Sequence, residues 1–115
     1  MAVAPAKDGR KKRLLIANDS PAMSAVIGAI VATEPNLSVV AAATDGNEAV
    51  RLVQRLRPDL VLMDIHMPLM GGVEATRRIV EAGSRTYVLV TSVTIDRNLP
   101  LIFDALKAGA VDFVR

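Results

Sequence analysis

A chain of 115 residues and 12.2 kDa has room for one domain and too little for a multidomain enzyme. Half of it is hydrophobic (51%) and only 3% is aromatic, which predicts an aliphatic globular core and excludes an aromatic platform for stacking single-stranded bases or a flavin ring. The formal net charge of +2 is unevenly placed: through Arg13 five basic residues stand against one acid, Asp8, and the remaining nine basic and eleven acidic residues leave the rest of the chain negative.

Residues 1–12 therefore read as a disordered basic leader, with a nucleic-acid arm as the lesser alternative. No apolar run approaches ~18 residues, and Leu14 to Ala17 is too short for a signal-peptide core. A cytoplasmic protein is expected, without membrane contact and without direct nucleic-acid binding. The absence of cysteine excludes disulfides, thiolate metal sites and a Cys nucleophile.

The first strand is Leu14 to Ala17, closed by Asn18-Asp19-Ser20-Pro21, in which Ser20 suits a helix cap and Pro21 the first helical position. Met23, Val26, Ile27 and Ile30 recur at helical spacing up to Glu34-Pro35-Asn36. A second unit follows: strand Leu37 to Ala42, turn Thr44-Asp45-Gly46, and a helix from Asn47 to Arg57 with Ala49, Leu52, Val53 and Leu56 on one face. The third strand runs from Asp59 to Asp64, wholly apolar between its ends. After a loop from Ile65 to Gly72 come a helix from Val73 to Ala82, stopped by Gly83, and the strand Tyr87 to Thr91. A longer connection, Ser92 to Pro100, precedes a helix from Leu101 to Ala108 and a fifth strand, Val111 to Val114.

Strict alternation of helices with strands apolar on both faces predicts an α/β domain, a doubly wound parallel sheet with helices on both sides. Right-handed crossovers favour the flavodoxin-like five-stranded order 2-1-3-4-5. Ligands of such sheets bind beyond the carboxyl ends of the strands, at the switch point between strands 1 and 3. Asn18-Asp19, Asp64 and Thr91-Ser92 should therefore meet at one rim. Two carboxylates about 4 Å apart repel by roughly 4 kcal/mol at an effective dielectric near 20, so they need a cation or a raised pKa. Oxygen donors with no Cys or second His nearby favour a hard ion such as Mg²⁺. Taken singly, each Asp could equally be a turn former or a helix cap after its strand.

Asn18-Asp19-Ser20, the segment Met63-Asp64-Ile65-His66-Met67-Pro68-Leu69-Met70-Gly71-Gly72, Val90-Thr91-Ser92 and Gly109-Ala110-Val111-Asp112-Phe113-Val114 together resemble the receiver domain of bacterial two-component response regulators, over about residues 13–115. Thr91-Ser92-Val93-Thr94, the long connection after it and the Gly109 to Val114 segment are most similar to receivers of chemotaxis protein-glutamate methylesterases.

The resemblance implies that Asp64 accepts a phosphoryl group from a sensor histidine kinase and that the resulting change reaches an output domain or effector protein. It implies Mg²⁺ held by Asp19, by Asp64 and by the backbone carbonyl of His66, with Asn18 acting through a bound water. Thr91 then hydrogen-bonds the phosphoryl group, Ser92 leaves access to the site, and Pro68 and Gly72 shape the wall of the pocket. Phe113 stands where the family has a rotamer-switching aromatic residue. Chemically this is a carboxylate nucleophile assisted by a metal that offsets phosphoryl charge. The domain is not itself expected to be an enzyme, and no Gly-x-Ser-x-Gly nucleophile turn is present. The methionines 63, 67 and 70 read as loop and core lining rather than a soft-metal site.

Two departures from the family pattern stand out. Asn18 replaces the first of two adjacent acids, which predicts weaker Mg²⁺ binding than an Asn18→Asp variant. The chain also stops at Arg115, before the family's Lys and last helix, so that helix is expected to be missing from a C-terminally truncated receiver and the sheet face it covers to be half bare. The alternative reading is a receiver-like interaction module that is not phosphorylated. A hydrolase with an Asp-x-Asp nucleophile fits less well, because the second acid is replaced by His66.

Overall fold

The computed structural model describes residues 9–91 and the strand 112–114. The elements are β1 (Lys12–Ala17), α1 (Pro21–Val31), β2 (Leu37–Ala43), α2 (Gly46–Leu56), β3 (Leu60–Asp64), α3 (Gly72–Glu81), β4 (Tyr87–Thr91) and β5 (Asp112–Val114). The strands form one sheet in the order β2-β1-β3-β4-β5, and every adjacent pair is parallel. Because β2 lies on one side of β1 and β3 on the other, right-handed crossovers send α1 to one face and α2 and α3 to the other.

The two cores follow this division. Leu15, Ala17, Val61, Met63, Val88 and Val90 pack with Ala49 and Val53 of α2 and Ala75 and Ile79 of α3. On the opposite face Leu14, Ile16, Val31 and Leu37 form a smaller cluster, joined by half-buried Ile27, Leu60 and Leu62. Alternate positions along β1 and β3 thus face different helices, as the two-residue period of a strand requires.

Local chemistry fixes the helix ends. Ser20 caps α1 by accepting the Met23 N–H at 3.1 Å, with Pro21 at the first position. Asp45 accepts the Glu48 N–H at 2.8 Å while Glu48 accepts the Thr44 N–H at 2.9 Å, a reciprocal cap on α2. The Arg13 guanidinium donates to the Leu56 carbonyl at 2.6 Å and closes the other end of that helix. Gly83, at φ 75°, stops α3 as its composition indicated.

Three expectations need correction. The first strand begins at Lys12 rather than Leu14, because the Lys12 N–H bonds Asn36 O at 2.8 Å and Arg13 N–H bonds Asp59 at 2.7 Å. The basic segment is accordingly engaged from Arg10, whose guanidinium pairs with Asp59 at 3.1 Å, so residues 10–12 do not hang free of the domain. On α1 the expected buried stripe is only partly buried: Ile27 faces the sheet, whereas Met23, Val26 and Ile30 are exposed at 38%, 53% and 64%. No second helix lies beside α1 among the described residues. The predicted helix from Leu101 to Ala108 and the start of the last strand at Val111 lie outside the described residues.

Candidate functional site

Register brings the predicted residues to one edge. Ala17 pairs with Ala43 on one side and Met63 on the other, so Asn18 and Asp19 leave β1 directly beside the end of β3. Asp64 and Thr91 are paired neighbours at the last positions of β3 and β4. The Ile65 N–H continues the ladder to the Thr91 carbonyl at 3.3 Å. Asp19 is exposed, Asp64 and Thr91 are half-buried, and Asn18 is buried at 7%.

Burial pushes the Asp64 carboxyl above its ordinary value; the His66 backbone N–H opposes that shift and the charge of Asp19 adds to it. One Asp64 oxygen accepts that N–H at 3.3 Å. The rim therefore concentrates negative charge at a half-buried carboxylate. The Thr91 hydroxyl makes a long bond, 3.4 Å, to the Met63 carbonyl, a contact weak enough to be exchanged for a better acceptor.

Beside this edge a cleft of about 590 Å³ opens between the β1–α1 turn and the β3–α3 loop, lined by Asp19, Ile65, His66, Met67, Pro68 and Glu74. His66 presents an exposed side chain to it. The Glu74 carboxylate is paired with Arg77 and Arg78, which hold its pKa down to about 2. No group of three or more His, Cys, Asp or Glu residues suited to a metal occurs among the described residues. Two carboxylates and nearby backbone carbonyls remain, an oxygen donor set that fits a hard, partly hydrated cation.

The wall behind the acceptor is built by close approach. A side chain on Gly72 would collide with the Asp64 carbonyl, and one on Gly46 with the carbonyl of Met70. The Gly72 N–H closes the loop onto Ile65 O at 2.9 Å. Met63 and Met70 are buried in the larger core and Met67 packs against it, the lining role expected of them. At the loop tip the Met70 N–H reaches Pro68 O at 2.7 Å, which puts Leu69 in the left-handed region at φ 66° while its side chain is 84% exposed.

Some contributors carry no recognisable motif. The role of Gly46 shows only when α2 and the β3–α3 loop are placed together. Asn18 also accepts the Ser20 N–H at 2.9 Å, a turn that the Asn-x-Ser spacing before Pro21 permits but does not single out. Ser92 and the side chain of Phe113 lie outside the described residues.

Residues 14–115 match the response regulator receiver domain family. A protein-glutamate methylesterase/protein-glutamine glutaminase of Myxococcus xanthus is 50% identical over 99 residues, 86% of this chain and 28% of that protein. Its counterpart in Haloarcula marismortui is 48% identical over 101 residues, 88% of this chain and 27% of that protein. The chain thus spans less than a third of the curated relatives it matches. Among solved structures, the response regulator domain of Thermotoga maritima CheB superposes with a TM-score of 0.84 at 37% identity, over 91% of this chain and 78% of that one. A chain of the CheX-CheY-BeF3-Mg complex of Borrelia burgdorferi superposes at 0.83 with 28% identity, over 93% of this chain and 79% of that one.

Proposed function

The chain belongs to the response regulator receiver family, a two-component signalling domain similar to the receiver regions of chemotaxis methylesterases, and from that premise we propose that Asp64 is its phosphoacceptor, served by a sensor histidine kinase. The observation that carries this reading is the convergence of Asp19, Asp64 and Thr91 at the carboxyl edge of the sheet, beside an open cleft.

In the reaction an Asp64 oxygen attacks phosphorus, an O–P bond forms, and the P–N bond to the donor imidazole breaks. The raised pKa of Asp64 reflects first the cost of burying a charged carboxylate, to which the charge of Asp19 adds, and a cation at the rim offsets that cost. Asp19, Asp64 and the carbonyl of His66 would hold Mg²⁺, whose bound charge offsets that of the phosphoryl oxygens. The His66 N–H orients the acceptor carboxylate. Thr91 exchanges its long bond to Met63 O for the phosphoryl group once that group is in place. Ser92, next along the chain, keeps the approach open. In this reading the natural output is a methylesterase domain or another effector, since the methylesterase relatives extend well beyond the matched region.

Incubation with acetyl phosphate and Mg²⁺, followed by intact-mass measurement, tests the assignment. The expected result is a gain of one phosphoryl group, abolished in Asp64→Asn. No gain, or a gain that survives the substitution, overturns it and favours an unphosphorylated interaction module.

A further inference from the structure

Only two polar side chains are buried among the described residues, Thr76 within α3 and Asn18 at the acceptor rim. Asn18 is held at both levels: its backbone N–H bonds Ala43 O at 3.0 Å and its Oδ1 accepts the Ser20 N–H at 2.9 Å. Ser20 in turn caps α1 through Met23 N–H at 3.1 Å. This chain of bonds orients the amide. The end that meets an N–H donor has to be the oxygen, so the other end is the NH₂ group, which makes no hydrogen bond to another described residue.

Asp19 follows immediately, and its charge is felt at Asp64. With the Glu74 carboxylate paired to Arg77 and Arg78, the described rim offers the carboxylates of Asp19 and Asp64 and one neutral amide. The amide latches the turn that presents Asp19, yet adds no negative charge to it.

We propose that Asn18 makes divalent-cation binding at this rim conditional on the phosphoryl group. Affinity for a hard cation rises with the number of charged oxygen ligands, so two carboxylates bind it weakly and the phosphoryl oxygens complete the set. The coupling is reciprocal: whatever factor the phosphoryl group adds to cation affinity, the cation adds to the phosphoryl group. An aspartate at this position could accept the same Ser20 N–H while supplying the missing charge beforehand, which uncouples the two events. Asn18 is thus a positioning residue through its oxygen and a tuning residue through its neutrality. The inference rests on Asp64 being the phosphoacceptor.

Mg²⁺ titrations by calorimetry and by NMR, with and without beryllofluoride as the phosphoryl mimic, decide the matter for the wild type, Asn18→Asp, Asn18→Ala and Asp64→Asn. In the wild type beryllofluoride should tighten Mg²⁺ binding by about tenfold or more. Asn18→Asp should bind Mg²⁺ about tenfold tighter than the wild type without the mimic and gain correspondingly less from it. Asn18→Ala should speed hydrogen exchange at the Ser20 amide, and Asn18→Asp should restore it. Equal gains in wild type and Asn18→Asp overturn the conditional role, and unchanged Ser20 exchange in Asn18→Ala overturns the latch. A mimic without effect on either protein, or one that still acts on Asp64→Asn, instead overturns the phosphoacceptor reading and takes this inference with it.

Discussion

Asp64 sits in a place that opposes its charge. Its folded-state pKa lies above the ordinary 3.8, through burial first and Asp19 besides, with the His66 N–H compensating in part. The folded state therefore holds its proton more tightly than the unfolded chain. Between 3.8 and the raised value, stability falls as pH rises, and above that window the loss is complete. Asp64→Asn escapes this loss. In the presence of a chelator it should melt higher than the wild type at neutral pH, with the difference shrinking as the pH falls toward 4, and added Mg²⁺ should narrow the gap from the wild-type side. Thermal unfolding across pH measures this directly; equal melting temperatures at neutral pH would contradict the environment described for Asp64. The position of this carboxylate was legible in the chain, since Asp after an apolar run marks a strand end and the α/β rule gathers strand ends. The Asn18 bond to Ser20 was not, because Asn before a helix is common and its partner is decided by turn geometry. Nor was Arg10, whose partner Asp59 is distant in sequence and met only after β1 and β3 align.

At the scale of elements, the β3–α3 loop is held under strain where it is most exposed. Leu69 sits at φ 66° with its side chain in solvent, so it bears the steric cost of the left-handed region without packing in return. Leu69→Asn should stabilise the domain by about 0.5–1 kcal/mol, since Asn tolerates this conformation and no buried contact is lost. Urea unfolding checks the value, and a destabilised variant would show that Leu69 packs in solution. Gly72 behaves oppositely: a methyl group there meets the Asp64 carbonyl, so Gly72→Ala should cost about 2 kcal/mol or more and shift the NMR signals of Asp64 and His66. A Gly72→Ala variant that melts like the wild type with unmoved signals would refute that close approach. The loop was readable as a loop from Pro68, Gly71 and Gly72. Which glycine is obligatory became apparent only from what its absent side chain would strike. Helix ends were likewise readable from Ser20 and Gly83, whereas the strand that starts two residues early owes its extension to the bonds that Lys12 and Arg13 N–H donate to Asn36 O and the Asp59 carboxylate.

The described part of the molecule is asymmetric about its sheet. Among the described residues thirteen buried hydrophobic residues fill the side covered by α2 and α3, and four fill the side covered by α1. The apolar spacing of Met23, Val26, Ile27 and Ile30 did not say which of them would be covered, and in the described structure only Ile27 packs toward the sheet while the other three are exposed. Sequence pattern reports which residues prefer burial; tertiary packing decides how many receive it. Two truncations of the same residue type separate the faces. Ile79→Ala, at 2% exposure between α3 and the sheet, should cost about 3 kcal/mol in unfolding free energy, the sum of lost transfer energy and a cavity that close-packed neighbours fill only in part. Ile30→Ala, at 64% exposure on α1, should change stability by no more than about 0.5 kcal/mol, because its side chain leaves neither a cavity nor much newly wetted surface. Equilibrium urea unfolding at two protein concentrations gives both numbers. Similar costs for the two substitutions would mean that the outer face of α1 is covered in solution. A concentration dependence of the Ile30→Ala cost would identify the cover as a second copy of the chain, because only an intermolecular contact weakens on dilution.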